Sequence, residues 1–198
     1  MVRAYNRTSG DAVIWCNVDK SWIKYAEKKD TGKSFNHMTI LESGRGQVPG
    51  TLGELGFIKF LKKHKIDYEY VADKMLPYDF VVNGIKVDIK TKLCTSAPKK
   101  SYSCHVAMTQ KYYDADVYVF ARTDMEKVYL LGYTDKSNFW CNDNQNAKDV
   151  KKGELDDDFF KEKENARKIK ISDLTEMKHF KNEKLENILW LKGYNANS

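Results

Sequence analysis

Two aspartates and a lysine flank an Asn-Gly pair at a spacing that could bring them together. Asn83-Gly84 lies between two runs rich in β-branched and aromatic residues, which is the strongest short-range signal for a two-residue hairpin loop. With that loop, Asp79 faces Asp88 at about 5 Å between Cβ atoms, and Lys90 follows two residues later. The same register pairs Val82 with Ile85, Val81 with Lys86, and Phe80 with Val87.

This pairing separates polar from apolar side chains, because successive side chains along a strand point to opposite faces. Asp79, Asp88 and Lys90 share one face. Opposed like charges destabilise a sheet, and a hard divalent cation with oxygen ligands would remove that conflict. Lys90 could remove part of it alone. Asp88 and Lys90 would then be the solvated face of an ordinary hairpin, and Asp79 would form a turn at the end of the strand. The opposite face is apolar, with Phe80, Val82, Ile85, Val87 and Ile89.

Positive charge is concentrated next to these acids. The chain has 198 residues and a formal net charge of +6. Between Lys86 and Lys111 there are six lysines and a single acid, Asp88. Such a segment suits a polyanion such as a phosphate backbone, although a solvated lysine face would explain the charge equally well.

The cysteines and the hydropathy pattern exclude several classes of protein. No two cysteines form a Cys-x-x-Cys pair, which argues against a zinc ribbon, a disulfide framework and a cysteine-bound iron–sulfur cluster. Free thiols are typical of the cytoplasm. Neither a membrane-spanning apolar run nor an N-terminal signal segment is evident, so the expected location is cytoplasmic. The four cysteines are Cys16, Cys94, Cys104 and Cys141.

A helix upstream of the hairpin supplies a third candidate acid. Thr51-x-x-Glu54 has the pattern of a capping box, which predicts a helix that starts at Thr51. Glu54 shares the inward face of an apolar stripe formed by Leu55, Ile58 and Leu61. Because a buried acid needs a partner, Glu54 is either part of a site or only a helix cap.

The hairpin residues resemble the signature of the PD-(D/E)XK nuclease superfamily. That signature has an Asp at the end of one strand, followed on the next strand by an acidic residue, any residue and a Lys. The matching residues here are Pro77, Asp79, Asp88 and Lys90, with Tyr78 inserted after the proline. Many members of the family also vary at that place.

The resemblance implies an α/β (α+β) fold with a restriction-endonuclease-like core. We expect a helix, three strands, a second helix and further strand, forming a central mixed β-sheet flanked by helices. Residues 50–140 would form the nuclease core, residues 1–49 an N-terminal extension packed on it, and residues 141–198 a C-terminal strand and helix of the same domain. The segment 103–110 could be strand or helix, because its periodicity does not decide.

The resemblance also implies an activity, namely Mg²⁺-dependent hydrolysis of phosphodiester bonds by a DNA endonuclease. Asp79 and Asp88, with the carbonyl of Ile89, would hold Mg²⁺, for which Mn²⁺ can substitute. Glu54, in Gly53-Glu54-Leu55-Gly56, resembles the helical Glu that joins the family's metal site. Lys90 would orient the attacking water, since the paired acids favour its charged form over the neutral form that a base requires.

DNA is the partner that the resemblance implies, and cutting both strands would suit a homodimer. The alternative is a catalytically silent nucleic-acid-binding module on the same scaffold. The abundance of Lys, Asn and Tyr indicates an AT-rich genome, which suits the cytoplasm of a bacterium or of a phage-infected host cell. The candidate DNA-binding residues are Lys92, Lys99, Lys100, Gln110 and, in a glycine-flanked loop, Arg45.

Overall fold

The computed structural model describes residues 2–5, 13–29, 47–74, 76–155 and 164–180. The helices are α1 (Lys20–Lys29), α2 (Gln47–His64) and α3 (Lys136–Trp140). The strands are β1 (Val2–Tyr5), β2 (Val13–Asn17), β3 (Tyr68–Tyr70), β4 (Phe80–Val82), β5 (Ile85–Leu93), β6 (Ser103–Ala107), β7 (Val117–Thr123), β8 (Lys127–Asp135), β9 (Ala147–Val150) and β10 (Ala166–Lys170).

The strands form two sheets. The larger has seven strands in the order β1-β2-β8-β7-β5-β4-β3, and the smaller has three in the order β6-β10-β9. Strands β5 and β7 run parallel, whereas their other neighbours in the larger sheet pair antiparallel. The structure is therefore mixed α/β, as the sequence predicts at this coarse level.

Each face of the larger sheet has its own apolar core. On one face, α2 packs Leu52 and Phe57 against a cluster that includes Val87 and Val119. On the other face, Tyr118 packs with residues of α3 and of the smaller sheet, among them Phe139 and Ile169. Strand β7 is covered on both faces, which accounts for its nearly continuous apolar sequence.

The predicted hairpin is confirmed over three pairs, whereas the predicted pair of Asp79 with Asp88 is not part of the ladder, and the N–H of Asp79 donates to the carbonyl of Val87 at 2.9 Å. Val82 pairs with Ile85, Val81 with Lys86 and Phe80 with Val87. Asn83 and Gly84 both have positive φ, at 49° and 79°, as a type I′ turn requires. The hairpin could be predicted because the turn chemistry is local to two residues.

Helix α2 begins earlier than the capping box predicts. It starts at Gln47 and carries Pro49 in its first turn, where a missing backbone N–H costs nothing. Thr51 and Glu54 therefore lie inside the helix, and the prediction that Thr51 caps it is wrong. Gly53 lets α2 lie close to β5, since a Cβ at that position would come within 1.9 Å of the hydroxyl oxygen of Thr91.

The segment between the two parallel strands also differs from the expected helix. Residues 103–107 form strand β6, with Cys104 and Val106 buried in the second core, and a 3₁₀ helix follows over Met108–Tyr112. This strand leaves the larger sheet and pairs with β10 instead. Long-range pairing therefore decides between strand and helix where the local periodicity is ambiguous.

The C-terminal part is described only as far as residue 180. The C-terminal strand predicted within residues 141–198 corresponds to β10. Of the predicted C-terminal helix, the described residues include only a 3₁₀ turn over Met177–His179, and residues 181–198 lie outside the described ranges. Among the helices of the described ranges, none has both the length and the apolar character needed to cross a membrane.

Strand β8 passes through Gly132 and ends at Asp135. The pairing of β7 with β8 shifts by one residue beside this glycine, whose φ is +152°. A Cβ here would lie 2.7 Å from the Cβ of Leu174 and 2.7 Å from the carbonyl oxygen of Thr175. The bulge and the close backbone approach both require glycine.

Replacing Gly132 by alanine is expected to destabilise the fold by about 2–4 kcal/mol, because steric overlap adds to backbone strain. Gly50→Ala is the matched control, since a Cβ there meets nothing within 4 Å and alanine favours helix. Denaturant unfolding of both variants measures the difference. Equal stability of the two variants would show that the contact around Gly132 relaxes without cost.

Candidate metal and catalytic site

The β4–β5 hairpin opens at the position of the predicted acids. The ladder ends at the pair of Phe80 and Val87, while β5 continues to Leu93. Beyond this pair, the next backbone N–H of β5 that points toward β4 is that of Ile89. It donates to Oδ2 of Asp79 at 2.7 Å instead of to a backbone carbonyl. We call the space bordered by Asp79, Asp88 and the backbone of Ile89 the hairpin gap.

The carbonyl of Ile89 faces the same gap. In a β-strand, the N–H and C=O of one residue point to the same side, which is why ladder partners exchange both bonds. The Ile89 N–H is directed to Asp79, so its carbonyl oxygen also lies on the side where β5 has lost its strand partner. This places a neutral oxygen beside the acids.

Asp88 is buried at 5 % exposure. Its Oδ2 lies 2.7 Å from Nζ of Lys90, but the geometry is that of an ion pair and not of a hydrogen bond, and this oxygen has no hydrogen-bond partner among the described residues. Lys90 in turn lies over the ring of Tyr118, with Nζ 5.8 Å from the centroid. A buried carboxylate needs a positive partner; here that partner is the ammonium of Lys90, and a metal ion would have to share the oxygen with it.

The raised pKa of Asp79 indicates an excess of negative charge in the gap. Burial raises the pKa of Asp79 well above its ordinary value, and the charges of Asp88 and Glu54 raise it further. The N–H of Ile89 and the charge of Lys90 oppose this pKa shift without cancelling it. The negative charge of Asp88 also acts on Tyr118. Burial, and to a smaller extent the charge of Asp88, raise the pKa of Tyr118 to about 12, while a hydrogen bond with Trp140 lowers it.

Glu54 is held by a tyrosine and a lysine and does not serve as a cap. The hydroxyl of Tyr70 donates to Oε2 of Glu54 at 2.5 Å, and Nζ of Lys29 lies 3.6 Å from the same oxygen. The prediction that this inward-facing acid has a partner is confirmed. Burial, together with the charge and hydrogen bond of Glu54, raises the pKa of Tyr70, so the hydroxyl remains a donor at neutral pH.

The donor set suits a hard cation held by few protein ligands. Within the described residues, no three His, Cys, Asp or Glu side chains converge as a metal-binding group. Mg²⁺ is usually bound through one or two carboxylates together with waters and substrate phosphates. Asp79, Asp88 and the Ile89 carbonyl are compatible with that pattern, and Glu54 acts on the gap through its charge.

The predicted DNA-binding residues are only partly brought together. Lys92 follows Lys90 by two residues on β5 and therefore shares its face of the sheet. Lys99 and Lys100 are exposed in the connection after β5, and Nζ of Lys99 lies 5.8 Å from the ring centroid of Tyr102.

The other two candidates are less informative. Gln110 lies half-buried in the 3₁₀ helix Met108–Tyr112 and accepts a backbone hydrogen bond from Tyr113 at 3.1 Å. Arg45 lies outside the described residues. The structure therefore places Lys92 on the same face of β5 as Lys90 and assigns no functional contact to Gln110.

Sequence reasoning did not identify Lys29, Tyr70 or Tyr118. Tyr70 and Glu54 are 16 residues apart, and Lys29 belongs to a different helix, so no local spacing connects them. Tyr118 could have been found from the pairing of β5 with β7, which sets it beside Asp88. That parallel register depends on a long crossover and is not encoded locally.

Comparison with known proteins gives no relative for this chain. No family model matches it, and no match was found among curated proteins or solved structures. A function for this chain must therefore be inferred from its own residues and their geometry.

Proposed function

We propose that this protein is a Mg²⁺-dependent DNA endonuclease of the PD-(D/E)XK type. The observation that carries the proposal is the hairpin gap, where two acids with like charge lie together beside Lys90. Burial and the charges of Asp88 and Glu54 raise the pKa of Asp79, and the buried Oδ2 of Asp88 has only the ammonium of Lys90, at 2.7 Å, as its ionic partner among the described residues. A structural role alone would not favour keeping such a conflict in the fold.

The order of elements around the gap supports the proposal. Helix α2 precedes three antiparallel strands, β3, β4 and β5, and the next strand of the sheet, β7, runs parallel to β5. This resembles the family's order of a helix, three strands, a helix and a further strand. The departure is β6 with its 3₁₀ helix, which occupies the place of the second helix.

Each residue of the gap has a role that follows from its contacts. Asp79 and Asp88, with the Ile89 carbonyl, would hold the cation, which neutralises the scissile phosphate and activates a bound water. Lys90, in contact with Asp88, supplies a fixed positive charge and N–H donors that orient the water and stabilise developing negative charge. Lys92 extends the positive charge along β5 toward the phosphate backbone.

The test is cleavage of supercoiled plasmid, linear duplex and a four-way junction, each with Mg²⁺ or with EDTA. Lys90→Ala is expected to lower the rate by about 10²-fold or more, the scale of losing one transition-state donor. Lys86→Ala is the matched control, because Lys86 lies on the same strand but pairs with the exposed Asp114. If the wild type cuts none of the three DNAs in a metal-dependent way, the proposed enzymatic activity is contradicted.

A silent nucleic-acid-binding module is the second candidate, and two contacts favour it. Asp79 already accepts a hydrogen bond from the backbone N–H of Ile89 where the ladder ends, and Glu54 already accepts one from the hydroxyl of Tyr70. Both acids therefore have structural roles. This module predicts salt-sensitive DNA binding and no change of melting temperature with Mg²⁺. The endonuclease predicts that Mg²⁺ raises the melting temperature, as any ligand of the folded state does.

A further inference from the structure

Glu54 is held through one of its two carboxylate oxygens. In the part of the chain that the structure describes, the hydrogen bond from Tyr70 and the ion pair with Lys29 both fall on Oε2. With respect to the described residues, Oε1 therefore has room to accept another donor or to bind a cation. A carboxylate fixed by one oxygen and open at the other is the usual arrangement of a metal-site acid with an outer partner.

Tyr70 connects this acid to the segment that leads from Asp79 into β4. Strand β3 pairs Tyr70 with Phe80, and the two rings pack 5.1 Å apart between centroids. The neighbouring backbone is tied as well, since the N–H of Val71 donates to the carbonyl of Asp79 at 2.8 Å. The hydroxyl that holds Glu54 is thus fixed relative to Asp79 by both packing and backbone hydrogen bonds.

Lys29 brings α1 into the same network. Its Nζ donates to the Tyr70 hydroxyl at 2.6 Å and forms an ion pair with Asp73 at 2.9 Å. Because the tyrosine hydroxyl accepts from Lys29, its own proton is directed to Glu54, which fixes the direction of that hydrogen bond. The last turn of α1 therefore orients the hydroxyl that donates to Glu54 on α2.

We propose that Tyr70, oriented by Lys29, is a positioning residue that holds Glu54 toward the cation of the hairpin gap. The inference rests on the proposed function, since it assigns Glu54 to that metal site. Tyr70 itself touches neither the cation nor the substrate. The inference gives the N-terminal helix a part in the site, which its sequence does not predict.

The test compares Tyr70→Phe with Tyr68→Phe in the full-length protein. Tyr68 lies on the same strand and also packs on Phe80, at 6.0 Å, but its hydroxyl makes no hydrogen bond to any residue that the structure describes. Mn²⁺ binding by calorimetry and the Mg²⁺ concentration for half-maximal cleavage are measured. Tyr70→Phe is expected to weaken both by about 10-fold, the lower end for loss of an outer partner of a metal ligand.

A merely structural role would lower the stability of Tyr70→Phe and leave its cation dependence equal to that of Tyr68→Phe, and that result overturns the inference. In a Glu54→Gln background, Tyr70→Phe should cause no further loss of Mn²⁺ affinity, because the two residues act as a unit. Lys29→Met, with Tyr70 intact, repeats the comparison if Tyr70→Phe fails to fold.

The wild type separates this inference from the function on which it rests. A wild type that neither binds Mn²⁺ nor cuts DNA defeats the proposed function itself. A wild type that does both, together with Tyr70→Phe that matches Tyr68→Phe, defeats only the role of Tyr70.

Discussion

Replacing Asp88 by asparagine is expected to abolish Mg²⁺-dependent DNA cleavage while DNA binding persists. The amide keeps the size of the buried side chain but removes the charge that would hold the cation and that pairs with Lys90 at 2.7 Å. The rate should fall by at least about 10²-fold, as for loss of a group that stabilises the transition state. Single-turnover cleavage of plasmid gives the rate, and fluorescence anisotropy at several salt concentrations gives the affinity.

Asp88→Asn should bind DNA as the wild type does. Lys90, Lys92 and the lysines after β5 remain in Asp88→Asn, so the number of phosphate contacts and the salt dependence of binding should not change. Asp114→Asn is the control, because it removes the same charge from an exposed acid that pairs with Lys86. Cleavage by Asp88→Asn at the wild-type rate would remove Asp88 from the site.

The hairpin could be predicted from sequence because each of its determinants is local. Asn83 and Gly84 both have positive φ, and alternation along β4 and β5 then fixes which side chains share a face. The acids Asp79 and Asp88 follow from that register without knowledge of the rest of the sheet. The buried strand β7 was predictable for a similar reason, since a short apolar run between turn residues is typical of a strand covered on both faces.

The rest of the site depends on contacts between distant segments. The bond from Tyr70 to Glu54 and the placement of Lys29 require α1, α2 and β3 to meet, and no spacing in the sequence encodes that meeting. Local signals were also misleading at the start of α2, where a capping pattern at Thr51 lies inside a helix that tolerates Pro49 in its first turn. The segment of β6 shows the same limit, because its pairing with β10 decides its conformation.

The repulsion between Asp79 and Asp88 in the hairpin gap should also lower the stability of the fold, and this effect can be measured without any substrate. Burial and the charges of Asp88 and Glu54 raise the pKa of Asp79 in the folded protein, whereas the unfolded chain titrates near the ordinary value of about 3.9. The folded state therefore binds this proton more tightly than the unfolded state. As pH rises from the unfolded pKa to the folded pKa, unfolding releases a proton, so the free energy of unfolding falls through that window.

Asp79→Asn should therefore be more stable than the wild type at neutral pH in EDTA. The amide oxygen can still accept the N–H of Ile89, which Asp79 accepts at 2.7 Å, while the charge opposed to Asp88 is gone. Relief of opposed like charges is worth about 1 kcal/mol, and for a chain of this length that corresponds to about 2–4 °C in melting temperature. Thermal melts of both proteins between pH 4 and pH 8 measure it, with the difference growing as pH rises.

Mg²⁺ should reverse this ranking if the gap binds the cation. The metal would stabilise the wild type by neutralising Asp79 and Asp88, and it would stabilise Asp79→Asn much less, because one charged ligand is lost. Asp114→Asn, which changes the same charge at an exposed position, should respond to Mg²⁺ as the wild type does. An asparagine variant no more stable than the wild type in EDTA would mean that Lys90 already compensates the two acids, and a cation would then have little charge left to neutralise. The stability lost to like charges in the metal-free protein is thus the same free energy that favours the cation, and a single set of melts measures both.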